Sequence, residues 1–496
     1  MKKQLKFTIG PAETARQQET FTVSCPCSHL CFRYDLEPKY AFLVFFMVSD
    51  PRGQIRFLKQ LGCSEPVISI GQGGLDTTVG GVPGEIVQGE WKVTVFLFSE
   101  HLSRTSGEQK IPFTVEVSGE QEDITECIGE NVWVSGVFHY AQYDFTRVYV
   151  QKPGWYKGDL HTHTRLSDGR ETPGQAAVKA ELMGLDYYVP TEHNTLHTGW
   201  PDTRVLILPG TEITTILGHA NLFGVDRLPA ALADILADKK EEKLKQDLLE
   251  IQKECRKRGW LFSINHPFLY IWKWLYGEML LSDVNCLEIE NDPTYESDPN
   301  AQARTANEKA RALCDLFWED GYRICAVGGS DSHNKTQEFY PGALEPSIPG
   351  DPATFLYMDA LSPENILHAL KKCRAYVTRH CSIRTDLCFG EILPDSVENL
   401  SYFLEISGQI KKPVVYYLHN GRRVLCEMTW EREGTWKTRG EIILSEAPYQ
   451  WIRFGAEDAE GEFLFYGNAI TKGRKEHDFS TFAEAAEELE RRWSRR

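Results

Sequence analysis

The stretch GDLHTHTRLSDG, residues 158–169, decides the reading of this chain. The sequence has only 14 histidines in 496 residues, yet His161 and His163 stand one residue apart and Asp168 follows in a Ser-Asp-Gly turn. On a β-strand, residues i and i+2 face the same side. The two imidazoles therefore point into one space, and the turn can fold Asp168 back toward it.

The neighbouring segments repeat the device. Each apolar run of the middle region ends on a histidine or an acid: WYKGDLHTH on His161 and His163, LDYYVPTEH on His193, RVLILPGTE on Glu212 and WLFSINH on His266. ICAVGGSDSH ends on Asp331 and His333, and His219 opens HANLFGV. NCLEIEN ends on acids too, but these are not counted as ligands. Helical patterns lie between the runs. TPGQAAVKAELMG starts with Thr172 as cap and Pro173 in the first turn, and SPENILHALKKCR repeats this with Ser362 and Pro363. KKEEKLKQDLLEIQKECRKRG and NAQARTANEKARALCDLFWEDG are amphipathic helices. Such alternation predicts an α/β domain over 153–380 built on a mostly parallel sheet or barrel, whose strand ends meet at one rim. HANLFGV follows Glu212 too closely for a helical crossover and is expected to form a hairpin excursion.

Six histidines and three carboxylates on that rim suit Mn²⁺, Zn²⁺ or Fe²⁺. They suit Mg²⁺ and Ca²⁺ poorly, because those ions prefer oxygen shells. Nine candidate ligands exceed the needs of one ion, so two or three divalent ions are expected, with Glu212 bridging. Bridged ions turn a shared water into hydroxide near neutral pH and polarise the bond it attacks. The sequence thus predicts a metal-dependent hydrolase acting by direct attack, with His161, His163, Glu212 and Asp331 at its centre. No GxSxG elbow and no cysteine paired with a base suggest a covalent nucleophile. GGLDTTVGG at 73–81 lacks the ending of a phosphate loop and reads as a turn. A non-enzymatic alternative, a binding protein with a metal-stabilised barrel, would need only four ligands in a closed shell. His197, His368 and His380 are read as solvated or packing residues, and Asp159 as orienting a ligand histidine.

The flanks are different. Residues 1–152 carry short β-branched and aromatic runs (FTVSC, CFRYDL, AFLVFFMVSD, WKVTVFLFS, PFTVEVSG, TRVYVQK) split by Gly, Pro and Asp, which predicts an accessory β-sandwich. Residues 381–496 return to strands and end in a helix opened by a Thr481–Glu484 capping box. Cys25, Cys27 and Cys31 around His29 have irregular spacing for zinc and read as small apolar thiols. A net charge of −17 argues against a nucleic-acid duplex as partner. No apolar segment follows the two N-terminal lysines and none reaches 18 residues, so no signal peptide or membrane span is read. Thirteen scattered cysteines then fit reduced thiols in a cytoplasm. Nothing in the sequence sets the oligomeric state.

GDLHTHTRLSDG, TEHN, GTEIT with GHANLFG, NHP and GGSDSHN, in that order, resemble the polymerase-and-histidinol-phosphatase (PHP) superfamily, and more closely its CehA/McbA-like metallohydrolase branch. The resemblance covers roughly 155–380 and implies a distorted (β/α)7 barrel. It also implies a division of ligands. His161 and His163 would bind a first metal with Glu212 and Asp331; Glu212 would bridge to a second held by His219 and His266; Asp168, His193 and His333 would bind a third. Family members hydrolyse phosphomonoesters or phosphodiesters, and the CehA-like branch includes ester and carbamate hydrolases. The expected partner is a small-molecule phosphate ester, for which Arg165, Arg170 and Lys335 are candidate cations. An aryl ester, carbamate or amide would instead use Phe268, Tyr270, Trp272, Trp274 and Tyr276 as an apolar wall. Those aromatics could equally pack a helix or lid against the barrel.

Overall fold

The computed structural model describes residues 2–10, 16–62, 67–97, 110–119, 143–237, 240–294, 303–408 and 410–495. Residues 120–142, part of the expected sandwich region, lie outside the described residues. Eight strands precede them: β1 (Lys2–Ile9), β2 (Arg16–Val23), β3 (Leu30–Tyr34), β4 (Val44–Ser49), β5 (Ile55–Gln60), β6 (Val67–Ile70), β7 (Gly89–Leu97) and β8 (Ile111–Ser118). They form two antiparallel sheets, ordered β1-β8-β3-β6 and β2-β7-β4-β5. A core of Phe7, Phe21, Phe32, Phe46, Phe57 and Trp91 binds them together. TRVYVQK is not a strand; Val150 makes a single bridge with Leu361.

Strand β4 shows why both of its faces are apolar. Val44, Phe46 and Val48 enter the sandwich core. Phe45 and Met47 enter the core of the next domain, joined by Leu58, Val82 and Phe96. The period of two assigns alternate residues to two hydrophobic cores.

The middle region contains β9 (Gly154–Thr162), β10 (Tyr187–Pro190), β11 (Leu206–Ile207), β12 (Gly210–Thr215), β13 (Gly218–Phe223), β14 (Leu261–Ile264), β15 (Cys286–Asn291), β16 (Cys325–Gly329), β17 (Ala353–Met358) and β18 (Ala375–Thr378). The helices Pro173–Leu182, Glu241–Arg258, Ala303–Glu319 and Pro363–Lys371 connect them. Thr172 and Ser362 cap their helices as expected, accepting from Gln175 N and Asn365 N. The first long charged helix ends at Gly259, whose φ of 77° is left-handed.

Strand pairing corrects the expectation of a closed, mostly parallel seven-stranded barrel. One sheet runs β12-β13-β14-β15-β16; another contains β11-β10-β9-β17-β18. At the two junctions the pairing shrinks to single parallel bridges, Thr162–Ser332 and His193–Glu212. Strands β12 and β13 form the expected hairpin, and β13 also pairs antiparallel with β14. Strand β17 is antiparallel to β9 because no helix separates it from the preceding β16 segment. The fold is therefore mixed α/β.

The second sheet does not stop near 380. Strand β18 pairs with Phe463–Gly467, and the sheet continues through Tyr449–Glu457 to Val414–His419. The final helix, Phe482–Trp493, carries the Thr481–Glu484 capping box.

Candidate metal centre

The structure brings all nine metal-type residues to the rim where the two sheets approach. His161 lies on β9 and His163 just beyond it, with ring centroids 5.3 Å apart. The close approach of β16 to β9 depends on Gly329: a Cβ there would sit 2.3 Å from the His161 Cβ and 2.9 Å from Glu288 Oε1. Two of the nine hold left-handed backbone, Asp331 at φ 49° and His266 at φ 26°. Side-chain-bearing residues rarely adopt these angles, and such strain concentrates at working sites.

Glu212, on β12, is the hub. Its Oε1 lies 3.3 Å from His161 Nε2, 3.2 Å from His219 Nδ1 and 3.6 Å from His266 Nε2. Its Oε2 lies 2.6 Å from His193 Nδ1 and 3.7 Å from His163 Nε2. Asp331 Oδ1 lies 3.3 Å from His161 Nε2 and 3.0 Å from His163 Nε2. Asp168 Oδ1 lies 3.5 Å from His193 Nε2 and 3.2 Å from His333 Nε2.

Ligand atoms close enough to share one ion form overlapping groups: His163 with Asp168, His193 and His333; His161 with His163 and Glu212; His161 with His266 and Asp331; His193 with Glu212 and His219. His161 Nε2, His163 Nε2 and Asp331 Oδ1 are buried and without a hydrogen-bond partner among the described residues. Buried polar atoms are normally satisfied. A set of bare imidazole nitrogens facing carboxylate oxygens fits a cation of intermediate softness.

Three residues overlooked in the sequence hold this set in place. Glu288, on β15, lies 2.9 Å from His161 Nδ1 through Oε1 and accepts from His266 N at 2.9 Å through Oε2. Asn291 Nδ2 donates to Glu288 Oε2 at 3.1 Å and to Asp331 Oδ2 at 3.3 Å. Glu192 ties down the loop between His163 and Asp168, accepting from Thr164 N at 3.0 Å, Ser167 N at 3.1 Å and Ser167 Oγ at 2.6 Å. Its Oε1 also lies 2.7 Å from His197 Nε2, so His197 is a buried partner of that anchor and not a solvated residue. Asp159 acts differently from expectation. It accepts from the backbone N–H groups of His161, Ser330 and Gly350, at 3.1, 3.2 and 2.7 Å, and so ties strands together rather than orienting an imidazole. His368 and His380 are exposed, far from this rim in their roles; His380 lies 3.6 Å from Glu345.

Burial pushes His163 down, helped by the imidazoles of His333 and His193, to about 4. Burial would also lower His333, but Asp168 lifts it to about 10. Burial acts to raise Glu212, yet His219, His193 and His161 hold it well below the usual carboxylate range. At neutral pH Glu212 is therefore an anion and the His163 lone pair is available, whereas His333 carries a proton that metal binding would displace.

A cavity of about 310 Å³ opens on the cluster. Beyond six of the nine it is lined by Arg170, Leu269, Trp272, Asn291, Asp292, Asn334 and Tyr340. Of the expected cations only Arg170 lines it, with Nη1 donating to Glu338 Oε1 at 3.0 Å. Arg165 is half-buried and Lys335 exposed, and neither is among the lining residues. Of the expected aromatic wall only Trp272 faces the cavity. Trp274 and Tyr276 are buried in the main core, Phe268 packs with Leu269 and Trp272 in a small cluster, and Tyr270 is exposed. Asp292 was not anticipated. It is buried, accepts from Thr294 Oγ1 at 2.5 Å, and belongs to none of the ligand groups. Burial pushes its carboxyl up to about 7, with Asp331 adding to the effect.

The Cys25, Cys27 and Cys31 thiols join no ligand group; Cys31 is buried in β3 and Cys25 is exposed. Among the described residues no helix is long and apolar enough to cross a membrane.

No family model matches the chain, and no curated protein matches it. Solved structures give distant likenesses. A two-domain protein from Bacteroides vulgatus, described as containing a predicted PHP-like metal-dependent phosphoesterase, is 17% identical over 66% of this chain and 99% of its own, with a TM-score of 0.35. A putative metal-dependent phosphoesterase from Bifidobacterium adolescentis is 17% identical over 38% of this chain and 91% of its own, TM-score 0.25. An amidohydrolase from Chromobacterium violaceum, solved with sulfate and no metal, is 15% identical over 38% and 93%, TM-score 0.22. Likeness at this level transfers neither reaction nor residue roles.

Proposed function

We propose that the chain is a metal-dependent hydrolase of the PHP superfamily that cleaves small phosphate esters. One observation carries this reading: groups of imidazoles and carboxylates overlap at His161, His163, His193 and Glu212, and six of the nine residues line a single cavity with one guanidinium on its wall. His161, His163, Glu212 and Asp331 would hold one ion, Glu212, His219 and His266 a second, and Asp168, His193 and His333 a third. The third set is supported by its own ligand group, in which His163 takes part. Bound divalent ions of this kind acidify a water and polarise the bond it attacks.

The chain's own residues supply the rest. Arg170, which lines the cavity and pairs with Glu338, would bind the phosphate oxygens in place of that carboxylate. Glu288 fixes the ring of His161, as outer partners of ligating histidines do. Asp292 is suited to give a proton from its carboxyl to the departing alcohol oxygen as that bond to phosphorus breaks. A buried carboxyl near 7 can be protonated at working pH while Glu212 stays ionised.

An ester, carbamate or amide hydrolase remains the second reading, because Leu269 and Trp272 give the cavity an apolar side. Purified protein loaded with Mn²⁺ and offered p-nitrophenyl phosphate, bis-p-nitrophenyl phosphate and p-nitrophenyl acetate separates the two. Turnover of the phosphate esters is expected. Turnover of the acetate alone would remove the phosphoesterase reading, and bound metal with no turnover of any ester would leave only a metal-stabilised binding protein.

A further inference from the structure

We propose that the N-terminal sandwich is a working part of the metal centre: β5 and the segment behind it brace the two loops that carry Asp168 and His193, and so set how tightly the outer ligand group holds its cation. This inference rests on the metal reading above and concerns one ligand group within it.

The outer group consists of His163, Asp168, His193 and His333. Between His163 and Asp168 lies Leu166, fully buried, although that loop sits at the rim. Leu166 forms its buried apolar cluster with Val79 of the sandwich, apart from the main core of the middle domain. The fit is close. Gly80 has φ +92°, and a Cβ there would lie 2.6 Å from Leu166 Cδ1. The second loop is gripped by hydrogen bonds. Thr195, two residues after His193, donates from Oγ1 to Leu58 O at 2.8 Å, and Thr198 donates to Gly81 O at 2.6 Å. Both threonines are buried. Glu192 then locks the two loops to each other through Thr164 and Ser167.

The inner ligands stand differently. Glu212 and His219 are strand residues of β12 and β13, positioned by continuous pairing, and His161 on β9 is held by Glu288 from β15. Loops have no such ladder, and a ligand on a loop is only as fixed as what the loop packs against. Here that support is the sandwich.

The full-length chain carrying Val79→Ala and Thr198→Val tests this, since neither residue belongs to a ligand group. Mn²⁺ is titrated into apo protein by calorimetry, with metal content checked by elemental analysis. One binding step is expected to weaken by about tenfold or more, as loss of one buried hydrogen bond and two methyl groups implies, while the other steps stay within about twofold. Should the double variant fail to fold, Thr198→Val alone gives the same test with a smaller shift. Unchanged binding, or equal weakening of every step, overturns the brace. A wild-type chain that takes up no Mn²⁺ at all would instead sink the metal reading beneath it.

Discussion

The centre has a deep side and a shallow side, and they are built by different means. On the deep side the His161, Glu212 and Glu288 side chains are at most 2% exposed, and all three sit on strands. On the shallow side Asp168 is 28% and His333 25% exposed, and both sit on loops. Strand pairing fixes a ligand to within the precision of the ladder; a loop ligand needs a second structure behind it. The contrast says that the inner ions would be anchored by strand residues such as His161 and Glu212, whereas the outer one depends on what its loops pack against.

The largest test removes what the two inner sets share. Glu212→Ala should abolish uptake of the inner ions and reduce turnover to background, read by elemental analysis and phosphatase assay. A variant that keeps its full metal content would break the hub assignment. Next comes Asp292→Asn, on the cavity wall. It should slow alkyl phosphates by roughly 10²-fold or more, the usual yield of a positioned acid, while p-nitrophenyl phosphate, whose leaving group needs no proton, is nearly unaffected. Equal losses on both substrates would assign Asp292 to packing. Glu288→Gln addresses the deep side alone: about 10–100-fold weaker Mn²⁺ binding in the inner steps, with the outer step preserved. A uniform loss would dissolve the distinction between deep and shallow. The smallest effect is on pH. Because the donor must be protonated and its carboxyl is lifted to about 7, alkyl phosphate turnover should fall as pH rises above that value, by at most about tenfold per unit. That limb should vanish with p-nitrophenyl phosphate.

Much of the site was legible because its residues stand where apolar runs stop. His161 with His163, and Asp331 with His333, announce themselves by i, i+2 spacing on strand ends. Glu288 was passed over because it lies inside such a run. Yet every residue of CLEIEN is buried, and a carboxylate in a strand with two covered faces must have a partner. Two glutamates within LEIE were the available signal. Asp292, one residue past that strand, shares it. Arg165 and Lys335 failed as cavity cations because loop position says nothing about the direction of a long side chain. The aromatic run after His266 divided between core and surface for the same reason. The open sheets were foreshadowed by the hairpin after Glu212, since each antiparallel pair displaces a crossover that would have closed the ring.

Strand β18 leaves the ribosome long before Phe463–Gly467, the strand that covers its far edge. Until those residues emerge, a row of amide and carbonyl groups along Tyr376–Thr378 has no native neighbour and is open to capture by another nascent chain. Synthesis of this protein thus passes through a sticky interval of about ninety residues, set by the order in which its sheet is threaded.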